Sequence, residues 1–479
     1  MELKGTIKPT RKGVVILVRP NDLIKRLIDI VGKENLLFDI IDLESYAFDG
    51  SMYTGRPDVV ALPENMEQVV QIVKVAGQNG VAILPRGAGT SLSGGAVPLF
   101  GGIVLGFSRM KRILEIDLDN ERVIVEPGIS NLDLQKMLKK YNYIFAPDPA
   151  SMKVCTIGGN IAENAGGMHC LKYGNTRDHV LGLEIVMASG EVIYTGDLDN
   201  NYASPNLTTM FCGSEGTFGI ITKAMLRLTR MTEKVGTLLA VFENLEDAGN
   251  AVSEILSKAL VPTSLEILND VITRSLIKYM NADLPSNGVA TLLVEVEGYE
   301  VELEDQMAKV MASFTANNAI TSRIARDQKE RSKLWEARQG VNGIFGHLGS
   351  GQLVQDPSVP VDKIGQMMRE TARIGEKYGL IICQTCHAGD GNLHPGIMYD
   401  ANSKEQYTKA EEASDEILKI AISLGGSISG EHGIGIEKLR FMPLQFSEND
   451  LGFMESIKRI LDPTLILNHG KILNLQSNI

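Results

Sequence analysis

Between residues 85 and 222 the chain carries four separate runs of glycine, small hydroxyl residues and amides, more than ordinary turns require. The first, Pro85-Arg86-Gly87-Ala88-Gly89-Thr90-Ser91-Leu92-Ser93-Gly94-Gly95, follows directly on the apolar residues 81–84, which read as a short buried strand. Small residues in that place let backbone N–H groups approach a phosphate closely, so a diphosphate cradle is one reading and a tight turn chosen for backbone conformation the other. It is not a Walker loop, because no Gly-Lys-Ser/Thr is present, and Gly87-Ala88-Gly89 lacks the third Rossmann glycine at its spacing. The second run joins Pro149 and Ser151 to Thr156, Gly158, Gly159, Asn160, Asn164, Gly166 and Gly167, where a flat ring and its ribityl chain can lie. The third opens with Tyr173-Gly174, and the fourth runs from Gly213 through Ile220 and Ile221 to Thr222. Together they suggest backbone wrapped around one extended ligand.

The surrounding pattern is mixed α and β. Leu23, Leu27, Ile30 and Val31 recur at helical spacing, and Met66, Val69, Val70, Val73 and Ala76 mark a helix face ended by Asn79-Gly80. Strands are expected at 103–107, and two hairpins at 113–117 with 122–126 and at 183–188 with 191–195. From about residue 234 a strand, helix, strand order (237–242, 245–256, 264–268) returns at 291–296, 303–314 and 320–323, which suggests a ferredoxin-like unit. A helix over 362–378, strands at 380–384 and 393–398 and a long helix over 404–424 follow.

Composition narrows the function. Lys plus Arg number 47 against 59 Asp plus Glu, a net charge of −12, and no basic block offsets it, so a nucleic-acid partner is not expected. With 44% hydrophobic and 22% charged residues the chain has material for sizeable cores. The apolar run 14–18 is too short for a signal-peptide core or a membrane span, and the five scattered cysteines form no disulfide framework, so a cytoplasmic location with reduced thiols is expected.

Four of the seven histidines fall near the C-terminus. His387 and His394 flank a Gly-Asp-Gly-Asn turn, and His432 follows Glu431 in Gly430-Glu431-His432-Gly433. Two imidazoles and a carboxylate that leave open positions are a common catalytic ligand set for a divalent metal. Cys383-Gln384-Thr385-Cys386-His387 also matches the c-type haem attachment motif. Without an export signal, the two cysteines read instead as packing residues at a strand end.

In this order, the four glycine-rich runs resemble the FAD-binding domain of the vanillyl-alcohol oxidase and para-cresol methylhydroxylase superfamily, over about residues 54–233. The resemblance implies FAD. Relatives that tether the flavin at the first loop carry a His in that run, and this chain has none there, so non-covalent FAD is expected; His169 and Cys170 are the remaining candidates for a tether. The histidine constellation, together with Trp335-Glu336-Ala337-Arg338, resembles the FAD-linked oxidase C-terminal domain of the glycolate oxidase D-subunit, D-lactate dehydrogenase and D-2-hydroxyglutarate dehydrogenase group. By that resemblance His387, His394 and Glu431 are ligands of a divalent metal (Zn, Mn or Fe), His432 is the base and Arg338 clamps the substrate carboxylate. Asn468, in Leu467-Asn468-His469-Gly470-Lys471, corresponds to a flavin-contacting position, with His469 where the family has proline.

The implied fold is α+β: a helical lead-in (1–53), a two-part FAD-binding domain of the para-cresol methylhydroxylase type (54–233), and a ferredoxin-like substrate or cap domain (234–479) that holds the metal site. The implied activity is oxidation of a small D-2-hydroxy acid, D-lactate favoured and glycolate next; larger diacids are disfavoured because residues 339–360 after Arg338 supply no second cation. Electrons would pass to a soluble protein partner, an electron-transferring flavoprotein or an iron-sulfur subunit. D-2-hydroxyglutarate oxidation, an oxygen-using oxidase and a flavin-binding relay subunit without its own substrate are the alternatives.

Overall fold

The computed structural model describes residues 20–196, 198 and 205–475. The apolar run 14–18 therefore lies outside the described residues. Among the described residues, no helix is long and apolar enough to cross a membrane.

Helix Pro20–Val31 buries Leu23, Leu27 and Val31 against helix Met66–Asn79, whose inward face is Val69, Ile72, Val73, Val75 and Ala76. Asn65 caps that second helix by accepting from the Gln68 N–H, and Gly80, at φ +61°, ends it in the left-handed conformation that glycine enters at least cost. The strand after it is Ile83–Arg86, displaced two residues from the expected position. The displacement has a local cause: the Val81 N–H still closes the helix on the Ala76 carbonyl at 3.0 Å. Ile83–Arg86 and Val59–Ala61 both run parallel to Ile103–Gly106, and Leu36–Leu37 adds an antiparallel edge, so the lead-in contributes a strand as well as helices. A second, five-stranded antiparallel sheet holds both expected hairpins and strand Ile220–Arg227.

The third sheet has seven strands. Its first four in chain order, Lys234–Phe242, Ser264–Asn269, Ala290–Gly298 and Thr321–Ile324, lie antiparallel in the order 4-1-3-2, the ferredoxin-like arrangement. Ile381–His387 pairs with the outer edge of Ser264–Asn269, and Asn392–Tyr399 and Gly351–Val354 extend the sheet beyond it. Helices Leu245–Ser257, Glu300–Ala316, Ile364–Tyr378 and Lys404–Ser423 contribute to the main core of this half.

The end of the chain returns to the first half. After helix Glu448–Leu461, the Ile466 carbonyl accepts from Ile83 N–H and Asn468 N–H donates to the Ile83 carbonyl, both at 2.7 Å. Buried Lys458 holds this return by donating to the carbonyls of Thr217 and Leu467 and to the Asp462 carboxylate. Residue 468 thus sits between glycine-rich loops more than 250 residues away in sequence.

Candidate active site

A cavity of about 280 Å³ lies where the glycine-rich runs meet. Pro85, Arg86, Gly87, Ala88, Gly89, Thr90 and Ser91 form one part of its wall, and Pro149, Ser151, Thr156, Gly158, Gly159, Asn160 and Gly166 another. Ile221, Asn342, Glu431 and His432 also line it, so two members of the C-terminal constellation open onto the same space, while His387, His394 and Arg338 lie off its wall. The loops approach too closely for larger residues: a Cβ at Gly87 would overlap the Thr156 hydroxyl. Asn160, 2% exposed, has no protein partner for either polar atom of its carboxamide. An unpaired buried amide is costly, and a ligand rich in polar groups removes the cost. These walls fit FAD.

Other expected cofactor residues lie off the cavity wall. Asn164, at φ +52°, ends helix Ile157–Glu163 and accepts from Arg177 N–H at 2.8 Å. Gly167 abuts Asp148, Gly174 abuts Asp178, Tyr173 OH bonds Glu297, and Ile220 is core. Asn468 donates to the carbonyls of Gly95 (3.0 Å) and Glu215 (2.7 Å), stapling two loops, while its buried carbonyl oxygen stays unpaired. Arg86 lines the cavity but directs its guanidinium to the carbonyls of Ala96 and Phe48, both at 2.7 Å. Neither His169 nor Cys170 is on the cavity wall; His169 pairs with Asp148 at 2.7 Å.

The histidines converge as their spacing suggests. Hairpin strands Ile381–His387 and Asn392–Tyr399 bring the two rings to 4.9 Å between centroids, and Glu431 Oε1 lies 3.5 Å from His387 Nε2 and 3.2 Å from His394 Nε2. One ligand atom from each falls within 4.8 Å of the others. This donor set, two imidazoles and a carboxylate, fits a divalent metal with open positions. Cys383 and Cys386 are wholly buried, three residues apart on one strand and in different core clusters, so they face opposite sides of the sheet and cannot share a haem or a metal.

Two carboxylates suspend the loop that carries Glu431 and His432. Asp356, fully buried, accepts from the N–H groups of Gly430 (3.0 Å), Glu431 (3.1 Å) and His432 (2.8 Å), from the Ser429 hydroxyl (2.8 Å) and from buried Lys438 (3.2 Å). Glu215 accepts from Ile434 N–H at 2.7 Å and Gly435 N–H at 2.9 Å. Burial would raise the Asp356 pKa, but His432, Lys438 and His394 hold it well below the usual carboxylate range. Burial pushes the His432 imidazole down to about 4, against the pull of Asp356, so it is neutral at physiological pH and free to accept a proton.

Arg338 is not free. Its Nε and one Nη meet Glu266 Oε2 at 2.7 and 2.6 Å, and Glu266 Oε1 meets His387 Nδ1 at 2.6 Å. Glu266, Asp356, Glu215 and Asn342 were not among the expected site residues. A signal existed for Glu266, a lone acid among Leu265, Ile267 and Leu268 in a strand pattern; the backbone role of Asp356 leaves none.

Comparison with known proteins agrees with this geometry. Residues 57–196 match the FAD binding domain family and residues 231–472 the family described as FAD linked oxidases, C-terminal domain. The glycolate oxidase subunit GlcD of Bacillus subtilis (strain 168) is 38% identical over 453 residues, 94% of this chain and 96% of that protein. A D-lactate dehydrogenase of Archaeoglobus fulgidus is 36% identical over 438 residues, 90% and 95% of the two chains. Among solved structures, p-cresol methylhydroxylase with substrate bound superposes with a TM-score of 0.80 at 18% identity, covering 94% of this chain and 96% of that one, a likeness of fold.

Proposed function

The chain belongs to the FAD-linked oxidases of the glycolate oxidase D-subunit and D-lactate dehydrogenase group and is an FAD-dependent oxidoreductase; from that premise we propose that it oxidises a small D-2-hydroxy acid to the 2-keto acid. D-lactate is the favoured substrate and glycolate the next. FAD is held non-covalently, and the electrons leave to a protein partner such as an electron-transferring flavoprotein or an iron-sulfur subunit. The division of labour follows the three segments 1–53, 54–233 and 234–479, with the cavity walls mainly in the second and the proton chemistry in the third.

The observation that carries this reading is that Glu431 and His432 line the cavity whose other walls are the glycine-rich loops. A 2-hydroxy acid offers a carboxylate, a hydroxyl proton and a C–H bond. Arg338 takes the carboxylate with the N–H donors that Glu266 leaves over. His387, His394 and Glu431 hold the divalent metal. Bound FAD supplies the hydride acceptor and the bound metal a Lewis acid that acidifies the hydroxyl. His432, neutral and buried, accepts the hydroxyl proton at Nε2, the nitrogen 4.0 Å from Glu431 Oε1.

The test is His432→Ala. Turnover of D-lactate is lost while the FAD content matches wild type; retained turnover would reject His432 as the base, and a wild type that turns over no 2-hydroxy acid would favour the relay subunit.

A further inference from the structure

We propose that Glu266 is a positioning residue that fixes the metal ligand His387 and the substrate arginine Arg338 with one carboxylate, an inference that rests on the metal-site reading above. Strand Ser264–Asn269 pairs with Ile381–His387 in a register that sets Glu266 directly opposite His387. The Glu266 side chain is wholly buried between two basic groups. An ionised carboxylate accepts only, so Nδ1 of His387 donates to Oε1 at 2.6 Å, and Nε2, the nitrogen that faces Glu431 at 3.5 Å, is the one left for a metal. The other oxygen holds the Arg338 guanidinium through two N–H groups. The Arg338 guanidinium balances the buried charge, and the His387 N–H satisfies the second oxygen as a hydrogen-bond donor.

The second histidine shows what Glu266 adds. His394 Nδ1 is buried with no hydrogen-bond partner, and the nearest acidic oxygen, Asp356 Oδ1, is 3.7 Å away. Its ring lies stacked on His432 at 5.0 Å instead. His387 is therefore the pre-oriented ligand of the pair and His394 the adjustable one. A carboxylate behind a ligating imidazole fixes the tautomer and raises ligand basicity, and its loss typically costs ten- to a hundredfold in metal affinity.

The experiment is a Zn²⁺ titration of the metal-free flavoprotein against a competing chelator dye, in wild type, Glu266→Gln and Glu266→Ala, with the flavin band of each variant recorded as the check on folding. Wild type binds one ion; Glu266→Gln, which keeps an acceptor of the same shape but not the charge, binds about tenfold more weakly, and Glu266→Ala up to a hundredfold. Zinc-loaded protein carrying ¹⁵N-labelled histidine then shows the His387 proton on Nδ1. Wild-type affinity in Glu266→Gln, or an unprotonated His387 Nδ1, overturns the role of Glu266 alone. Failure of wild type to bind an ion overturns the metal-site reading and this proposal with it.

Discussion

Replacing Asp356 with asparagine changes one atom and removes one charge, yet the surroundings of that carboxylate make the consequence large. Three backbone N–H groups at 2.8 to 3.1 Å, the Ser429 hydroxyl and the Lys438 ammonium all donate to it. Bonds to a charged acceptor contribute about 1.5–3 kcal/mol each, roughly twice a neutral bond, and asparagine retains one acceptor oxygen, so the backbone loses about 1 kcal/mol per bond. Lys438, 1% exposed, loses its counter-charge, a loss of about 3–5 kcal/mol when one partner of a buried pair is removed. The effects overlap, and about 4 kcal/mol is expected for the segment. Hydrogen exchange reads it locally: a peptide spanning residues 429–435 exchanges faster in Asp356→Asn by up to about a thousandfold, since 1.4 kcal/mol is a factor of ten. Because the Asp356 carboxyl is held below its ordinary pKa, this contribution is complete above about pH 4 and disappears only as pH falls through the lowered native value. Unchanged exchange of that peptide at neutral pH would refute the claim that Asp356 suspends the loop.

Three further outcomes are expected. A Cβ at Gly166 would strike the Glu431 carboxylate, so Gly166→Ala weakens Zn²⁺ binding at least tenfold while the protein still takes up FAD; unaltered zinc affinity would contradict the placement of Glu431. Asn160→Leu removes a buried amide that lacks partners, so the FAD-free protein becomes about 1 kcal/mol more stable in urea titration while FAD affinity falls; a stability loss without FAD would show that Asn160 is satisfied within the protein. Burial opposes charge on His169, but Asp148 at 2.7 Å with Glu295 and Glu297 behind it raises its pKa to about 9. A base with a raised native pKa stabilises fully below its unfolded value near 6.5, and the contribution is lost as pH rises through about 9. The melting temperature of His169→Gln therefore falls short of wild type at pH 6 and converges with it by pH 10, and a gap independent of pH would exclude the ion pair.

Much of this could be read from the chain, for reasons that differ by element. Glycine-rich loops are legible because only small residues permit such close backbone approach, and Gly87 against Thr156 is a direct instance. The ferredoxin-like order was visible because each strand and helix changes period from two to 3.6 at its boundaries. His387 and His394 were recognisable because a tight turn joins their strands, so sequence proximity becomes spatial proximity. Long-range partners were hidden. Glu266 meets a histidine 121 positions later and Asp356 binds backbone 74 to 76 positions later, and no local pattern encodes either contact. Asn468 was named by the family resemblance alone, because its position depends on the C-terminal segment pairing beside Ile83, which no local pattern encodes. Strand Gly351–Val354 lies at the sheet edge and helix Asp270–Met280 follows its strand without a loop, so neither announced itself. Arg338 was singled out by the family resemblance, whereas its pairing with Glu266 was not legible.

The proposed function requires one cavity to join FAD, a divalent metal and a 2-hydroxy acid. The direct measurement is the anaerobic visible spectrum of the purified protein before and after D-lactate, with and without a chelator. The expected result is a flavin band that D-lactate bleaches and that chelator protects from bleaching. A flavin band that neither D-lactate nor any other 2-hydroxy acid bleaches would contradict it.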